Sequence, residues 1–379
     1  MRRVKLGMTH QANSGEGNLL SHTAKNRVRL LLALALIIVL GVGGALTSSC
    51  ARRPATGATG ATTTGPDPAK GPVKVRLSET VHSVFYAPQY VAATKGFFKE
   101  FGLDVEINTA WGSDKGAAAV LSGNADIALA GPEPSLYVFN QKGQTRLKIF
   151  AQLTAKDGSF LLAKKKVDKF DWSQVKGKTI IGNRPGSMPE MVIEDTLKRA
   201  GLTPRKDVTV ITNLAFTAIP GAFASGQAEY AGLFEPTASS FEAQGVGYIV
   251  ASMGIEGGPL PYTVYMATEK YVAENPKVVQ AFTNAMYKAM LWVESHSNEE
   301  VADAVLPFYA DTPRNLMIKV IKRYKEQGTW APDPVLNPTH FDNLQKIMIG
   351  GGALKPEEKV KYEDVVITTF AEQAKKKIK

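Results

Sequence analysis

The segment from Trp111 to Asn140 constrains this chain most, because its central part recurs in degraded form further along. Ala119-Val-Leu-Ser-Gly-Asn-Ala-Asp-Ile-Ala128 aligns with Ala222-Phe-Ala-Ser-Gly-Gln-Ala-Glu-Tyr-Ala231. The first copy runs into Gly131-Pro-Glu-Pro134 and the second, one residue shorter, into Phe234-Glu235-Pro236. Each copy reads as the end of an amphipathic helix, a Ser-Gly C-cap, a short acidic turn, a buried strand and a Pro-marked start of another helix. Two copies of one αβα unit predict two similar α/β lobes.

The 379 residues leave room for two domains of ordinary size. A formal charge of +10 raises a nucleic-acid partner, but residues 1–72 hold nine Lys/Arg against two Asp/Glu. The remainder, with 36 basic and 33 acidic residues, is close to balanced, which argues against nucleic acid. An uncharged run from Leu30 to Leu46 follows Lys25, Arg27 and Arg29, and the chain's single cysteine, Cys50, stands just beyond it in Leu46-Thr-Ser-Ser-Cys50. This resembles a bacterial lipoprotein signal, with Cys50 as the lipidation site, although Thr47 stands where that pattern prefers an aliphatic residue. The alternative is an uncleaved N-terminal anchor. Either places the rest outside the cytoplasm, since the positive flank stays inside. Residues 1–50 are thus read as signal or anchor, and 51–72, too poor in apolar residues to build a core, as a flexible tether.

Strands are predicted at Val73–Leu77, Leu103–Ile107, Leu147–Leu153, Gly158–Ala163, Lys178–Gly182, Val208–Ile211, Tyr230–Phe234, Tyr248–Ala251 and within Pro259–Ala267. Helices fall at Ala87–Gly102, Ser187–Ala200 and near Ala218–Ala224, and the region after Glu269 reads as helical, without a strand signal. Alternation of this kind predicts parallel sheets. The charged stretch Lys164–Val175 is read as the crossing between lobes, which gives lobe 1 residues 73–163 and 263–379, and lobe 2 residues 164–262.

Several pieces in order resemble the substrate-binding proteins of ABC importers in the nitrate, sulfonate and taurine group (NMT1/THI5-like). They are Ala87-Pro to Lys95-Gly-Phe-Phe with Gly-Leu-Asp-Val-Glu106, Leu121-Ser-Gly-Asn-Ala-Asp-Ile-Ala128, Gly177-Lys-Thr-Ile-Ile-Gly182, Ala200-Gly-Leu-Thr-Pro204, and Ala224-Ser-Gly-Gln-Ala-Glu229 leading to Phe234-Glu-Pro236. The resemblance implies a two-lobed periplasmic-binding-protein fold of type II, each lobe a mainly parallel sheet flanked by helices. It also implies a ligand held in the cleft and passed to an ABC permease and ATPase, with no cofactor and a monomeric protein anchored by lipid to the outer face of the cell membrane.

In such a clamp, helix N-termini aim N–H groups at the ligand and favour an anionic or strongly polar group. The candidates are Gly112 and Ser113, then Pro132, Glu133 and Ser135, then Gly186, Ser187 and Met188. Trp111, in a loop before a glycine, is read as a stacking surface for a planar ligand. His82, Phe85 and Tyr86 extend that wall, and Phe160, Phe216 with Thr217, and Tyr262 face it. Glu133 and Glu235 end the two repeat copies and suit a ligand with N–H donors, such as an aminopyrimidine or another heterocycle, over sulfonate or nitrate. Arg184 would pair with an acidic group on the ligand. Enzymatic readings are weak: His10, His22, His82, His296 and His340 form no metal-ligand spacing, and there is no Gly-x-Ser-x-Gly elbow or Walker loop. A pyrimidine-biosynthesis enzyme or a ligand-sensing domain on the same fold remains the alternative.

Overall fold

The computed structural model describes residues 71–379. The apolar run Leu30–Leu46, Cys50 and nearly all of the 51–72 segment lie outside the described residues.

Alternation builds the first strand, β1 (Val73–Glu79), in which Val75 and Leu77 are buried while Lys74 and Arg76 face solvent. The single helix expected over Ala87–Gly102 is two, α1 (Ala87–Thr94) and α2 (Phe97–Glu100), because Gly96 takes the left-handed conformation between them. The remaining elements of the first βα series are β2 (Leu103–Thr109), α3 (Ser113–Leu121), β3 (Ile127–Ala130), α4 (Glu133–Asn140) and β4 (Leu147–Thr154). The second series has β5 (Ser159–Ala163), β6 (Thr179–Ile181), α5 (Met188–Arg199), β7 (Thr209–Ile211), α6 (Ile219–Ala224), β8 (Tyr230–Phe234), α7 (Thr237–Ala243), β9 (Tyr248–Ser252) and α8 (Met253–Glu256). Strand β10 (Thr263–Thr268) follows.

These strands form two five-stranded sheets of matching order, β2-β1-β3-β10-β4 and β7-β6-β8-β5-β9. The sheets are mixed rather than purely parallel. In each, one strand runs antiparallel to both neighbours, β10 in the first and β5 in the second. Both are the strands that arrive from the other lobe, which explains their reversed direction. Because β5 already pairs with β8 and β9, the outward crossing lies at Ala155–Gly158, ahead of the Lys164–Val175 stretch expected to make it.

The repeated acidic turn has a structural task. Asp126 Oδ2 accepts the Arg76 backbone N–H of β1 at 2.8 Å, and Glu229 Oε2 accepts the Thr179 N–H of β6 at 3.0 Å. In both lobes a carboxylate just before a buried strand thus ties that strand to its neighbour, β3 to β1 and β8 to β6.

The two crossings lie side by side. Leu260 and Tyr262 donate their N–H groups to Ala155 and Thr154 carbonyls, and the hydroxyls of Thr154 and Thr263 are 2.6 Å apart. Beyond β10 the chain is helical: α9 (Glu269–Glu274), α10 (Pro276–Ser295), α11 (Asn298–Val305), α12 (Arg314–Gln327), α13 (Pro338–Gly350), α14 (Tyr362–Val365) and α15 (Thr369–Lys377). Helices α10 and α11 pack on α1 in lobe 1, whereas α12 packs on α7 and α13 on α5 in lobe 2, so this region straddles both lobes instead of belonging to the first. Tyr324 donates its hydroxyl to the Gly158 carbonyl at 2.9 Å, Gln327 Nε2 bonds the Asp157 carbonyl at 2.8 Å, and Trp330 Nε1 bonds the Phe85 carbonyl at 2.9 Å. Among the described residues no helix is long and apolar enough to cross a membrane.

Asp126 also takes the Arg76 guanidinium in a bidentate pair, at 3.1 and 2.7 Å, whereas Glu229 holds a backbone N–H alone. Asp126→Ala is therefore expected to cost about 1–2 kcal/mol in urea unfolding and Glu229→Ala about 1 kcal/mol or less, Asp126 being partly exposed and Glu229 exposed.

Candidate functional site

Carboxyl ends of parallel strands gather ligands because the loops there differ in direction and leave a crevice. Here the loops after β1, β2 and β3 face those after β6, β7 and β8. Between them lies a cavity of about 460 Å³, lined by Tyr86, Gly112, Ser113, Glu133, Arg184, Gly186, Ser187, Met188, Phe216 and Tyr262 among the expected residues. A second cavity of about 250 Å³ is lined by His82, Trp111, Phe216, Thr217 and Glu235 among them. Val81, Asn183, Phe216 and Phe234 line both.

Trp111 holds a left-handed backbone (φ 60°) before Gly112, is 39% exposed, and stands across from Phe216 with ring centroids 6.5 Å apart. Gly112 precedes α3 with φ 153°, so Ser113 is the first helical residue and not the cap. Its hydroxyl accepts the Gly131 N–H at 3.1 Å, tying two cleft loops together. Ser187 does occupy the N-cap of α5, yet its hydroxyl donates to the Arg184 carbonyl at 2.6 Å.

Arg184 is spoken for. Its guanidinium meets Asp114 in a two-pronged pair, Nη1–Oδ1 at 2.7 Å and Nη2–Oδ2 at 2.9 Å, joining the β6–α5 loop of one lobe to α3 of the other. Tyr137 adds a second link between lobes, donating to the Gly186 carbonyl at 3.2 Å.

The two repeat-end glutamates separate in role. Glu235, fully buried, accepts from the Ser239 N–H and hydroxyl and pairs with Arg323 of α12 at 2.6 Å, so its charge is answered by the C-terminal helices rather than offered to the cleft. Glu133 is also buried, and its Oε2 has no hydrogen-bond partner. Burial pushes its carboxyl up to about 7, against the pull of its own backbone N–H and the Ser113 hydroxyl, while Asp114 adds to the rise. A Cβ at Gly131 would collide with this carboxylate, which explains the glycine there.

His82 reaches the rim of the smaller cavity but is committed on both nitrogens, Nδ1 to Glu79 and Nε2 to the Phe308 carbonyl, each at 3.0 Å. Both partners are acceptors, so the ring serves as a double donor, and the hydrogen bond to Glu79 raises its pKa. Phe85, Phe160, Pro132 and Ser135 line neither cavity. Phe85 is packed behind the cleft against Tyr262, Phe234 and Tyr324, at a spot where Gly158 leaves room for its ring. Phe160 lies under the Arg323 guanidinium, 5.4 Å away. Pro132 precedes α4 and accepts the Ser135 hydroxyl at 2.7 Å through its carbonyl.

Asn183, Asp114, Tyr137 and Phe234 line the cleft without having been singled out from sequence. Asn183 left a signal, since an asparagine between Gly182 and the Arg-Pro-Gly turn is among the residues that tolerate left-handed backbone, and it takes φ 70° here.

Two α/β lobes closing on a cleft between paired crossings make a solute-binding clamp of the periplasmic-binding-protein kind. The NMT1/THI5-like profile matches residues 84–300. The chain is 47% identical over 300 residues to YtlA of Bacillus subtilis (strain 168), named as a candidate binding protein, covering 79% of this chain and 89% of that one. The chain thus belongs to the NMT1/THI5-like family. Its fold is shared by the alkanesulfonate-binding protein SsuA from Xanthomonas axonopodis pv. citri bound to MOPS (TM-score 0.64, 16% identity, covering 79% of this chain and 99% of that one). It is shared as well by the periplasmic nitrate-binding protein NrtA from Synechocystis PCC 6803 (TM-score 0.64, 18% identity, 81% and 89% covered).

Glu133 also sets a pH dependence. A native carboxyl that keeps its proton up to about 7 instead of 4.5 makes the folded state richer in protons between those values, so its stabilising contribution is complete below 4.5 and lost as pH rises through 7. Between pH 5 and pH 8 the wild type is expected to lose on the order of 2–3 kcal/mol more stability than Glu133→Gln, as read from urea unfolding. Identical pH profiles for the two would contradict this assignment.

Proposed function

We propose that the protein is the extracytoplasmic binding component of an ABC importer. It captures a small polar or heteroaromatic solute between its lobes, delivers it to a permease driven by an ATPase, and makes or breaks no bond. The observation that carries this reading is the Asp114–Arg184 pair, which spans the cleft from lobe to lobe directly beside the lining residues. Such a bridge forms only when the clamp is shut, so it adds to whatever the ligand contributes to closure. The names of the relatives, all binding proteins, support capture over catalysis. In this reading Cys50 carries the lipid anchor, residues 51–72 hold the fold off the membrane, and the protein acts as a monomer.

A thermal-shift screen of the full-length protein with sulfonates, nitrate, aminopyrimidines and aromatic acids tests capture. A solute at 100 times its dissociation constant is expected to stabilise by about 2.7 kcal/mol. Because the Asp114–Arg184 pair is partly exposed, with 63% and 29% of the two side chains accessible, Asp114→Ala is expected to weaken the hit only about two- to fivefold. The same variant should shift solution scattering of the ligand-free protein toward the open form. Acyl-chain labelling of cells should disappear in Cys50→Ala, and labelling that persists would refute the lipid anchor.

A further inference from the structure

The outward crossing holds an acid with nothing to answer its charge. Asp157 lies in that crossing, fully buried, and its Oδ1 accepts the Ser159 N–H at 2.6 Å. Its Oδ2 has no hydrogen-bond partner. Neither has the Ser159 hydroxyl nor that of Tyr262 in the return crossing, and both hydroxyls border the same carboxyl. Three buried oxygens without partners therefore gather where the two crossings run side by side.

Among the described residues no cation answers this acid. Lys156, its neighbour in the chain, turns its Nζ to the Gln327 carbonyl at 2.6 Å, and Arg323 is taken by Glu235. Around the crossing, α12 presents the uncharged Gln327 and Tyr324, and α8 presents the Gly254 backbone. Beyond Tyr262 stand Tyr86 and Glu133, the latter itself a buried acid. Burial thus pushes the Asp157 carboxyl up to about 7, against the pull of the Ser159 N–H and of the Ser159 and Tyr262 hydroxyls.

The cover over Asp157 is shared between the lobes. Ser159 opens β5 in lobe 2, whereas Tyr262 both lines the larger cleft cavity and borders the carboxyl, so it is the wall between them. When the lobes part, the bend is taken up in the crossings and water enters the cleft at that wall. We infer that Asp157 is a proton-binding site of the hinge: the closed clamp holds it as a neutral acid, and parting of the lobes hydrates it and releases its proton to water. Closure thus takes up one proton, and capture is favoured on the acidic side. This coupling rests on the solute-capture reading, because it needs lobes that open. Between the ordinary carboxyl value of 3.8 and about 7 only the closed form carries the proton. The closed-to-open ratio is therefore highest in acid, falls about tenfold per pH unit across that window, and is level above it.

Solution scattering of the full-length protein without added solute, from pH 5 to pH 8.5, tests it in the wild type and in Asp114→Ala, whose open form is better populated. Both are expected to expand as pH rises to about 7 and to stay level beyond. Asp157→Asn, an amide that cannot ionise, should remain as compact at pH 8.5 as the wild type is at pH 5. Glu133→Gln, which removes the other nearby acid, should keep the response. Tyr262→Phe removes a hydroxyl that draws the carboxyl down, so it should extend the expansion to higher pH, which a loss of packing alone would not do. If Asp157→Asn does not fold by circular dichroism, Tyr262→Phe and Glu133→Gln carry the test. A response lost in Glu133→Gln and kept in Asp157→Asn would overturn the assignment to Asp157. Dimensions that ignore pH in both proteins, with Asp114→Ala still the more open, would overturn the proton coupling and leave solute capture standing. If neither pH nor Asp114→Ala changes the dimensions, the coupling and the closing clamp on which it rests both fall.

Discussion

The pairing of the two crossing segments is the constraint from which the rest of the molecule follows. Thr154 and Thr263 share a hydroxyl contact inside the protein, and Thr154 Oγ1 also accepts the Thr263 N–H at 2.9 Å. Both residues are buried, so these bonds are made without competition from water. They fix where the chain leaves one sheet and where it returns. That fixes which strand in each sheet runs backwards, and it leaves the carboxyl ends of β1, β3, β6 and β8 facing one another. The cleft exists because of that pairing, and its residues are loop residues because of where the strands end.

Electrostatically the cleft is self-neutralised. Helix dipoles, an arginine and a histidine would ordinarily make such a place attractive to oxyanions. This chain sets an acidic side chain on each of the three helix N-termini and commits both cations to protein partners. A fold shared at a TM-score of 0.64 therefore does not by itself say what the cleft holds. Fold places the loops, while a handful of side chains at their tips decides what they hold.

Much of the architecture was legible in the sequence because it is encoded locally. The strands from Val73 to Thr268 follow alternation in β1 and β2 and short apolar runs with glycine punctuation elsewhere, and the repeat around Asp126 and Glu229 announces two related lobes. What escaped is what long-range pairing decides. The sheet to which β5 belongs depends on residues as distant as Phe234 and Ser252. Whether an aromatic residue faces the cleft also depends on tertiary packing: Phe216 and Trp111 do, whereas Phe85 and Phe160 are turned into the interior by Gly158, Tyr324 and Arg323. Arg184 read as a free cation because its partner, Asp114, is on the other lobe. Glu235 read as a cleft carboxylate because its partner, Arg323, lies 88 residues further along the chain, in α12.

That C-terminal region has a mechanical consequence. A clamp joined by two adjacent strands alone could twist as well as open. Here α12 clings to lobe 2 through Arg323 and Lys319, and the turn after α13 rests on α5 near Met191. Asn140 of lobe 1 is bonded meanwhile to the Glu358 carbonyl at 2.8 Å. The lobes are therefore pinned at a second place away from the strands, and two separated pins define an axis. Rotation about the line between them is soft, whereas shear and torsion across it are stiff, so whatever docks on the closed form meets a surface whose two halves arrive in register.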